Sequence, residues 1–279
     1  MTGRPLLKVR LAVDYGDGAR VLEDAELDVR AGEIVGLVGS SGSGKSSLAL
    51  AILRLLDAKG GHAHGGIWFG DSDLIRTSER EMRHIRGRRI GFVPQSPASF
   101  LNPAMRIDAQ LYEAWKAHKR GPRLLMEHEV REAIEQVGLP ADRAFLHRYP
   151  DEVSIGQAQR VLIAMAILHN PALLIADEPT SSLDVISQAE VLRLLARVNC
   201  DLNMAILYIS HDLLSIANFC DRVAILCGGR IVEFAEPDSI FHSPQHPYTQ
   251  KLIGALPALP RSRVVPVRRA LLTTVQGVA

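Results

Sequence analysis

Four short apolar runs punctuate the chain: Ile34–Val38, Ile90–Val93, Leu173–Ala176 and Ala205–Ile209. None alternates with polar residues, and each ends in glycine or polar residues before it is long enough for a helix. Continuous apolar runs of this length predict strands covered on both faces, as in a parallel sheet with helices on either side. Helical patterns alternate with them. Ser46–Leu56 follows the first run, Val161–His169 precedes the third across Pro171, and Val185–Val198 precedes the fourth with an apolar face at Val191, Leu192, Leu195 and Val198. This alternation predicts a doubly wound α/β core. Leu6–Val29 alternates loosely and predicts antiparallel strands, while Val223–Leu226 and Ile231–Val232 around Gly228-Gly229 predict a hairpin.

Two regions break the pattern. From about Asn102 to Asp151 charge and helix formers dominate (Leu111–Lys119, Leu124–Val137), which predicts a helical insertion. After Phe241 come Pro244, Pro247, Pro257, Pro260 and Pro266, too much proline for a continuous helix. Within that tail Tyr248, Leu252, Ile253 and Leu256 recur at helical spacing, which predicts an ordered segment His246–Leu256 ahead of a peripheral end bearing Arg261, Arg263, Arg268 and Arg269.

Composition narrows the function classes. A chain of 279 residues can bury a core without disulfides or a structural metal. Lys+Arg of 32 against Asp+Glu of 31 gives no whole-protein field to draw it onto nucleic acid or an anionic membrane. Cys200, Cys220 and Cys227 are odd in number and lack CxxC spacing, which suits a reducing cytosol and small buried hydrophobes. The best apolar run, Val161–Leu168, stops at His169, short of the ~18 residues of a membrane span. The expectation is a soluble cytoplasmic protein that reaches a membrane only through a partner.

Chemistry concentrates at the ends of the apolar runs. Gly39-Ser40-Ser41-Gly42-Ser43-Gly44-Lys45-Ser46 follows the first run, opens a predicted helix and matches the phosphate-binding loop GxxxxGK[ST]. Its glycines let successive backbone N–H groups turn toward phosphate oxygens; Lys45 supplies a charge for β- and γ-phosphates, and the Ser46 hydroxyl is placed for Mg²⁺. Leu173-Leu-Ile-Ala-Asp177-Glu178 is a buried strand ending in two carboxylates, which is costly unless they face a cation. Asp177 is suited to a Mg²⁺ shell, and Glu178 to accepting a proton from an attacking water. Ile209-Ser210-His211-Asp212 delivers a third polar side chain, His211, in the same way.

Weaker patterns are read conservatively. Gly42-Ser-Gly44 lacks the third glycine of a dinucleotide fingerprint. His62-Ala-His64 has the spacing of a metal pair, but Gly60, Gly61, Gly65 and Gly66 around it predict a solvated Gly-rich turn. Arg80, Arg83, Arg86, Arg88 and Arg89 lack interleaved aromatics and read as a solvated helix face.

Taken in order, these residues resemble the nucleotide-binding subunits of ATP-binding-cassette (ABC) transporters. Phe92-Val-Pro-Gln95 looks like the glutamine loop of that family, Val153-Ser154-Ile155-Gly156-Gln157 like its signature, Ser182-Leu183-Asp184 like its D-loop, and His211 like its switch histidine. Tyr15, 24 residues ahead of Gly39, matches the aromatic that stacks on adenine. The resemblance implies a P-loop NTPase core with a mostly parallel sheet, an N-terminal antiparallel β subdomain and an inserted helical subdomain at about 102–158, all within 1–241. It implies ATP and Mg²⁺, with Gln95, Glu178 and His211 catalytic, and Ser46, Gln95 and Asp177 at the metal. Nucleotide contacts would come from Tyr15, Gly39 to Ser47, Ser154, Gly156, Gln157 and Asp184. Because subunits of this family dimerise head to tail, Ser154 and Gly156 would touch the nucleotide on the partner's phosphate loop.

The tail, 242–279, narrows the resemblance. Ser243-Pro-Gln-His246-Pro247-Tyr248-Thr249-Gln250 is similar to the HPYT segment of oligopeptide, dipeptide and nickel importer ATPases, as are Ser99-Phe-Leu-Asn102-Pro103 and Cys220-Asp-Arg-Val. The implied setting is the cytoplasmic face of a prokaryotic membrane, with a second, paralogous ATPase subunit, two permease subunits and, indirectly, a substrate-binding protein; no nucleic acid is involved. The alternatives are an ABC-type ATPase of a soluble enzyme assembly or a nucleotide-dependent regulatory switch. One departure stands out: Ile155 replaces a usual glycine, so any positive φ required there would be strained.

Overall fold

The computed structural model describes residues 4–16 and 18–256. The arginines expected to be peripheral, Arg261, Arg263, Arg268 and Arg269, lie outside the described residues. In chain order the first elements are β1 (Leu7–Tyr15), β2 (Ala19–Val29), β3 (Ile34–Gly39), α1 (Lys45–Ile52), β4 (Gly61–Phe69), β5 (Ser72–Asp73), α2 (Glu79–Ile85) and β6 (Ile90–Val93). Next come α3 (Ile107–Lys116), α4 (Arg123–Gln136), α5 (Arg143–Leu146), α6 (Ile155–Ile167), β7 (Leu173–Asp177) and α7 (Val185–Leu202). The chain ends with β8 (Ala205–Ile209), α8 (Leu213–Phe219), β9 (Arg222–Cys227), β10 (Arg230–Ala235), α9 (Pro237–His242) and α10 (Pro247–Gly254). Among the described residues no helix is long and apolar enough to cross a membrane. These elements form two units, residues 4–82 with 205–256, and residues 83–204.

In the first unit the strand order is β5-β4-β1-β2-β10-β9-β3-β8. The end formed by β5, β4, β1 and β2 is antiparallel, and β1 alternates buried and exposed positions, with Leu7, Val9, Leu11 and Val13 inside. The other end is parallel: β3 pairs with β8 and β9, and every residue of β3 and β8 is buried, as their unbroken apolar runs require. Gly36 lets α8 lie close on β3, because a Cβ there would stand 2.8 Å from Cys220 Sγ. Cys220 is fully buried, which pushes its thiol well above the usual range and makes it a packing residue. Arg222 ties β9 to β2 and to the residue before β3, donating to Asp28 and Glu33 at 2.8 and 2.6 Å.

The tail motif is a helix start. His246 caps α10, its Nδ1 accepting from Tyr248 N at 3.2 Å; Pro247 takes the first helical position, where no N–H is needed, and Thr249 is fully buried. Glu233 of β10 accepts from the backbone N–H of Gln245 and His246. Tyr248, Leu252, Ile253 and Leu256 are half-buried, so the segment His246–Leu256 is ordered as its periodicity predicts.

Three local expectations are corrected. The helix predicted over Ser46–Leu56 ends at Ile52, because Arg54 turns left-handed at φ 52°. The helix predicted from Val161 begins at Ile155, where a capping box starts it. His62-Ala-His64 lies in strand β4, paired along its length with β1, and is no turn; Gly60, at φ 71°, is where the chain turns, just before the strand. His64 Nε2 meets Asp14 at 2.7 Å.

In the second unit β6 and β7 run parallel, covered by α6, which approaches so closely that a Cβ on Gly91 would stand 2.5 Å from Ala166 O. Helices α3, α4 and α6 share an apolar interior built from Ile107, Leu111, Trp115, Val130 and Ile134. At the ends of α3 and α6 the half-buried rings of His118 and His169 stand edge to face at 5.1 Å, with His169 Nε2 donating to Ala114 O at 3.1 Å and both Nδ1 atoms buried. Burial first, and then the mutual proximity of His169, His84 and Arg88, holds the His118 imidazole below 6.5. Burial, with Lys119 and Arg88 and against the Ala114 carbonyl and Glu129, lowers His169 as well. Unfolding releases both to take up protons at ordinary values, so their contribution to stability is full above about pH 6.5 and is lost as pH falls through the lowered folded values. The urea midpoint is therefore expected to drop between about pH 7 and about pH 5, and the double variant His118→Phe, His169→Phe to flatten that drop. An undiminished drop in the variant would assign it to other groups.

Candidate functional site

The first unit presents the phosphate loop. Strand β3 enters it at Gly39, where a Cβ would meet Leu226 O at 2.5 Å and Ser43 Oγ at 2.6 Å, so no larger residue fits. Gly42 and Gly44 adopt φ 78° and 103°, and Gly44, the cap of α1, has no side chain of its own to bond the first helical N–H groups. A Gly-rich loop that opens a helix in this way presents a helix N-terminus, which is suited to an anion. Lys45 is 7% exposed, its ammonium donating to the carbonyls of Gly39 and Ser40 at 2.8 and 3.0 Å. Those carbonyls hold the charge at the rim of the cradle. Ser43 Oγ is buried without a hydrogen-bond partner, and Ser40, Ser41 and Ser46 are exposed around it.

Two further predicted residues join it within this unit. Strands β3 and β8 run parallel with Leu37 opposite Ile209, so Gly39 and His211 each stand two residues beyond that pair. Ser210 N donates to Leu37 O, and Asp212 caps α8 through Leu214 N, which fixes the backbone on both sides of exposed His211. Tyr15, at the end of β1, donates its hydroxyl to Ser47 Oγ on α1 at 3.1 Å.

The second unit repeats the device. Val93 of β6 pairs with Ala176 of β7, so Gln95 and Glu178 again stand two residues beyond a matched pair, and Gln95 Nε2 donates to Glu178 Oε2 at 2.8 Å. Asp177 closes β7. Glu178 is left-handed at φ 47°, a costly conformation for a residue with a Cβ, and its carbonyl is held by Ser181 N and Oγ at 3.2 and 3.1 Å. Arg54, Asn170 and Asn203 share this left-handed conformation, so it is the Gln95 contact and the place at the end of β7 that set Glu178 apart.

Ser154 and Asp184 are both helix caps in this unit. Ser154 Oγ accepts from Gln157 N, and Gln157 Oε1 accepts from Ser154 N, a reciprocal capping box at the head of α6. The serine hydroxyl hydrogen and the Gln157 amide N–H₂ remain donors. Asp184 accepts from Ile186 N, Ser187 N and Ser187 Oγ, and these bonds, led by Ser187, lower its carboxyl below the usual value. Ile155 occupies the first turn of α6 without a positive φ, so the strain expected at this position is absent; a helix start accepts isoleucine. Its side chain is 58% exposed, and Val185 and Ile186 at the head of α7 are 81% and 75% exposed. A Cβ on Gly156 would be in ordinary contact with Ser187 Oγ at 3.8 Å, which sets these two helix starts side by side.

Ser46 in the first unit offers a hydroxyl oxygen, and Gln95 and Asp177 in the second offer amide and carboxylate oxygens; each is a hard donor of a kind that suits Mg²⁺. What the sequence reading missed is Gly61, taken for part of a turn: it lies directly opposite Tyr15. The only available signal was a glycine pair facing an aromatic across a strand pairing that no local pattern announces.

Comparison with known proteins shows the family. The family model described as ABC transporter matches residues 22–181, and one described as oligopeptide/dipeptide transporter, C-terminal region, matches residues 232–275. The dipeptide transport ATP-binding protein DppD of Escherichia coli K12 is 40% identical over 251 residues, 89% of this chain and 77% of that protein. The oligopeptide transport ATP-binding protein OppD of Bacillus subtilis strain 168 is 39% identical over 249 residues, 89% of this chain and 70% of that one. A dimeric post-hydrolysis structure of the ATP-binding cassette MJ0796 with ADP and Pi superposes with a TM-score of 0.71 at 25% identity, covering 83% of this chain and 98% of that one. A phosphate cradle of this build, the paired Gln95 and Glu178, and likeness over most of the length leave one conclusion: the chain belongs to the ABC transporter family, as an ATP-hydrolysing subunit with an oligopeptide/dipeptide-type C-terminal region.

Proposed function

We propose that this chain drives uptake of peptides, or of a related solute such as nickel, by binding and hydrolysing ATP at a head-to-tail dimer beneath two membrane permeases, on the cytoplasmic face of the membrane. The observation that carries the reading is the pairing of Gln95 with Glu178 at the ends of β6 and β7, which fixes a carboxylate at a strained turn for proton transfer. The loop from Gly39 to Ser47 cradles the phosphates, Lys45 moves its charge from the loop carbonyls onto them, and Tyr15 stacks on the base. Mg²⁺, held through Ser46 and Asp177 with Gln95, would neutralise charge developing on the phosphates. Glu178 takes the proton of the attacking water, His211 holds the γ-phosphate end, and Asp184 reports across the dimer.

Ser154, Gly156 and Gln157 face the nucleotide of the other subunit in this arrangement. Ile155 keeps a regular helix start, so any asymmetry it causes comes from its exposed side chain and not from its backbone. A paralogous partner then gives two unequal sites, the slower one on the partner's phosphate loop. The test is reconstitution of the chain with its permeases and second ATPase subunit in vesicles. Peptide uptake strictly dependent on ATP is expected, with faster hydrolysis at the partner's phosphate loop in Ile155→Gly. Hydrolysis that proceeds without any permease association would overturn the transport reading, and no gain in Ile155→Gly would overturn the asymmetry.

A further inference from the structure

In the pairing of β1 with β4, Gly61 lies directly opposite Tyr15. A Cβ built on Gly61 would stand 2.6 Å from Tyr15 Cε1 and 3.0 Å from both Cδ1 and Cζ, so one side of the phenol ring fills the space that any larger residue would take. The three nearest atoms that such a Cβ would meet all belong to this ring. Its φ lies outside the left-handed region, whereas neighbouring Gly60 turns at φ 71°. The backbone beneath the ring is fixed from both sides: Gly61 N donates to Leu56 O at 3.0 Å, and Gly16 N, next to Tyr15, donates to Gly60 O at 3.2 Å. The far end of the ring is tied by its hydroxyl to Ser47 Oγ at 3.1 Å, two residues past Lys45.

We infer that Gly61 is a positioning residue for recognition of the nucleotide base: its bare Cα lets the Tyr15 ring settle against β4, and the Ser47 hydroxyl then locks the ring to the helix that carries the phosphate loop. This rests on the reading of Tyr15 as the adenine platform and adds what holds that platform in place. A stacking face is useful only at one height and tilt, because a planar base must meet it while its phosphates occupy the loop. Gly61 sets the height, and Ser47 couples it to the phosphate end. A methyl group at position 61 would lift the ring by about the width of that clash and break the alignment, loosening the Ser47 hydrogen bond while the backbone donors of Gly39 to Ser46 stay in place.

The test uses the full chain and two probes, ATP and inorganic tripolyphosphate, with equilibrium binding measured for wild type, Gly61→Ala, Tyr15→Ala and the double variant. Gly61→Ala is expected to weaken ATP about tenfold, the scale of one base–aromatic stack, and to leave tripolyphosphate unchanged. In the Tyr15→Ala background the same substitution is expected to cost nothing further, because the ring it displaces is gone. A general structural role for Gly61 would move both probes together and would persist in the Tyr15→Ala background, and either result overturns the inference, as does undiminished ATP binding by Gly61→Ala. If wild type held ATP no better than tripolyphosphate, the fault would lie instead with the adenine reading.

Discussion

Glu178→Gln is expected to lower ATP hydrolysis by the assembled complex at least about a hundredfold, the contribution of a positioned general base, while ATP affinity stays within about twofold. The amide keeps the shape of the side chain, and its oxygen can still accept the 2.8 Å hydrogen bond from Gln95 Nε2, so the turn at φ 47° and the loop it anchors are preserved. What is lost is the ability to take a proton from water. Steady-state phosphate release and equilibrium nucleotide binding on the same preparation separate the two quantities. More than about a tenth of the wild-type turnover surviving in the variant would place the base elsewhere.

Lys45→Ala should show the opposite division, with ATP affinity falling by about tenfold to a hundredfold or more and turnover lost with it. Lys45 is 7% exposed and its ammonium rests on the Gly39 and Ser40 carbonyls, within the loop that is expected to hold the phosphates. A charged hydrogen bond is worth about 1.5–3 kcal/mol, and every 1.4 kcal/mol is about tenfold in affinity. Titration of nucleotide onto the variant, with a melting curve to show that the fold survives, is the measurement. Binding as tight as wild type would mean that the loop from Gly39 to Ser46 does not hold the phosphates.

Much of this was legible in the residues because the chemistry is local. The phosphate loop needs its glycines, lysine and serine within eight consecutive positions, and the fully buried parallel strands leave unbroken apolar runs such as Ala205–Ile209, whose limits the structure reproduces. The HPYT segment likewise reads as a helix start once His246 is seen to cap it. What escaped was set by distant partners. Gly60 and Gly61 look alike in sequence, yet one is a left-handed turn and the other a flat spot under an aromatic ring 46 positions earlier in the chain, and only the β1–β4 register tells them apart. Ile155 was read against a glycine and its φ; the capping box between Ser154 and Gln157 puts it in an ordinary first helical turn, where a β-branched residue is tolerated. The sulfur of Cys220 and the Gly36 backbone fit together in the same way, 184 positions apart.

The late arrival of β3's neighbours matters for how the chain is made. Among the described strands, the one that leads into the phosphate loop pairs with β8 and β9, and Ile34 N waits for the Asp221 carboxylate, 187 residues further on. On a ribosome, Lys45 and its glycines leave the exit tunnel long before the strands that give them a fixed shape, so the nascent segment spends most of synthesis as an apolar ribbon without a sheet. Residues 83–204, by contrast, emerge as one continuous stretch. The proposed nucleotide cradle is therefore expected among the last features to take form, although the letters that spell it are among the first to be translated.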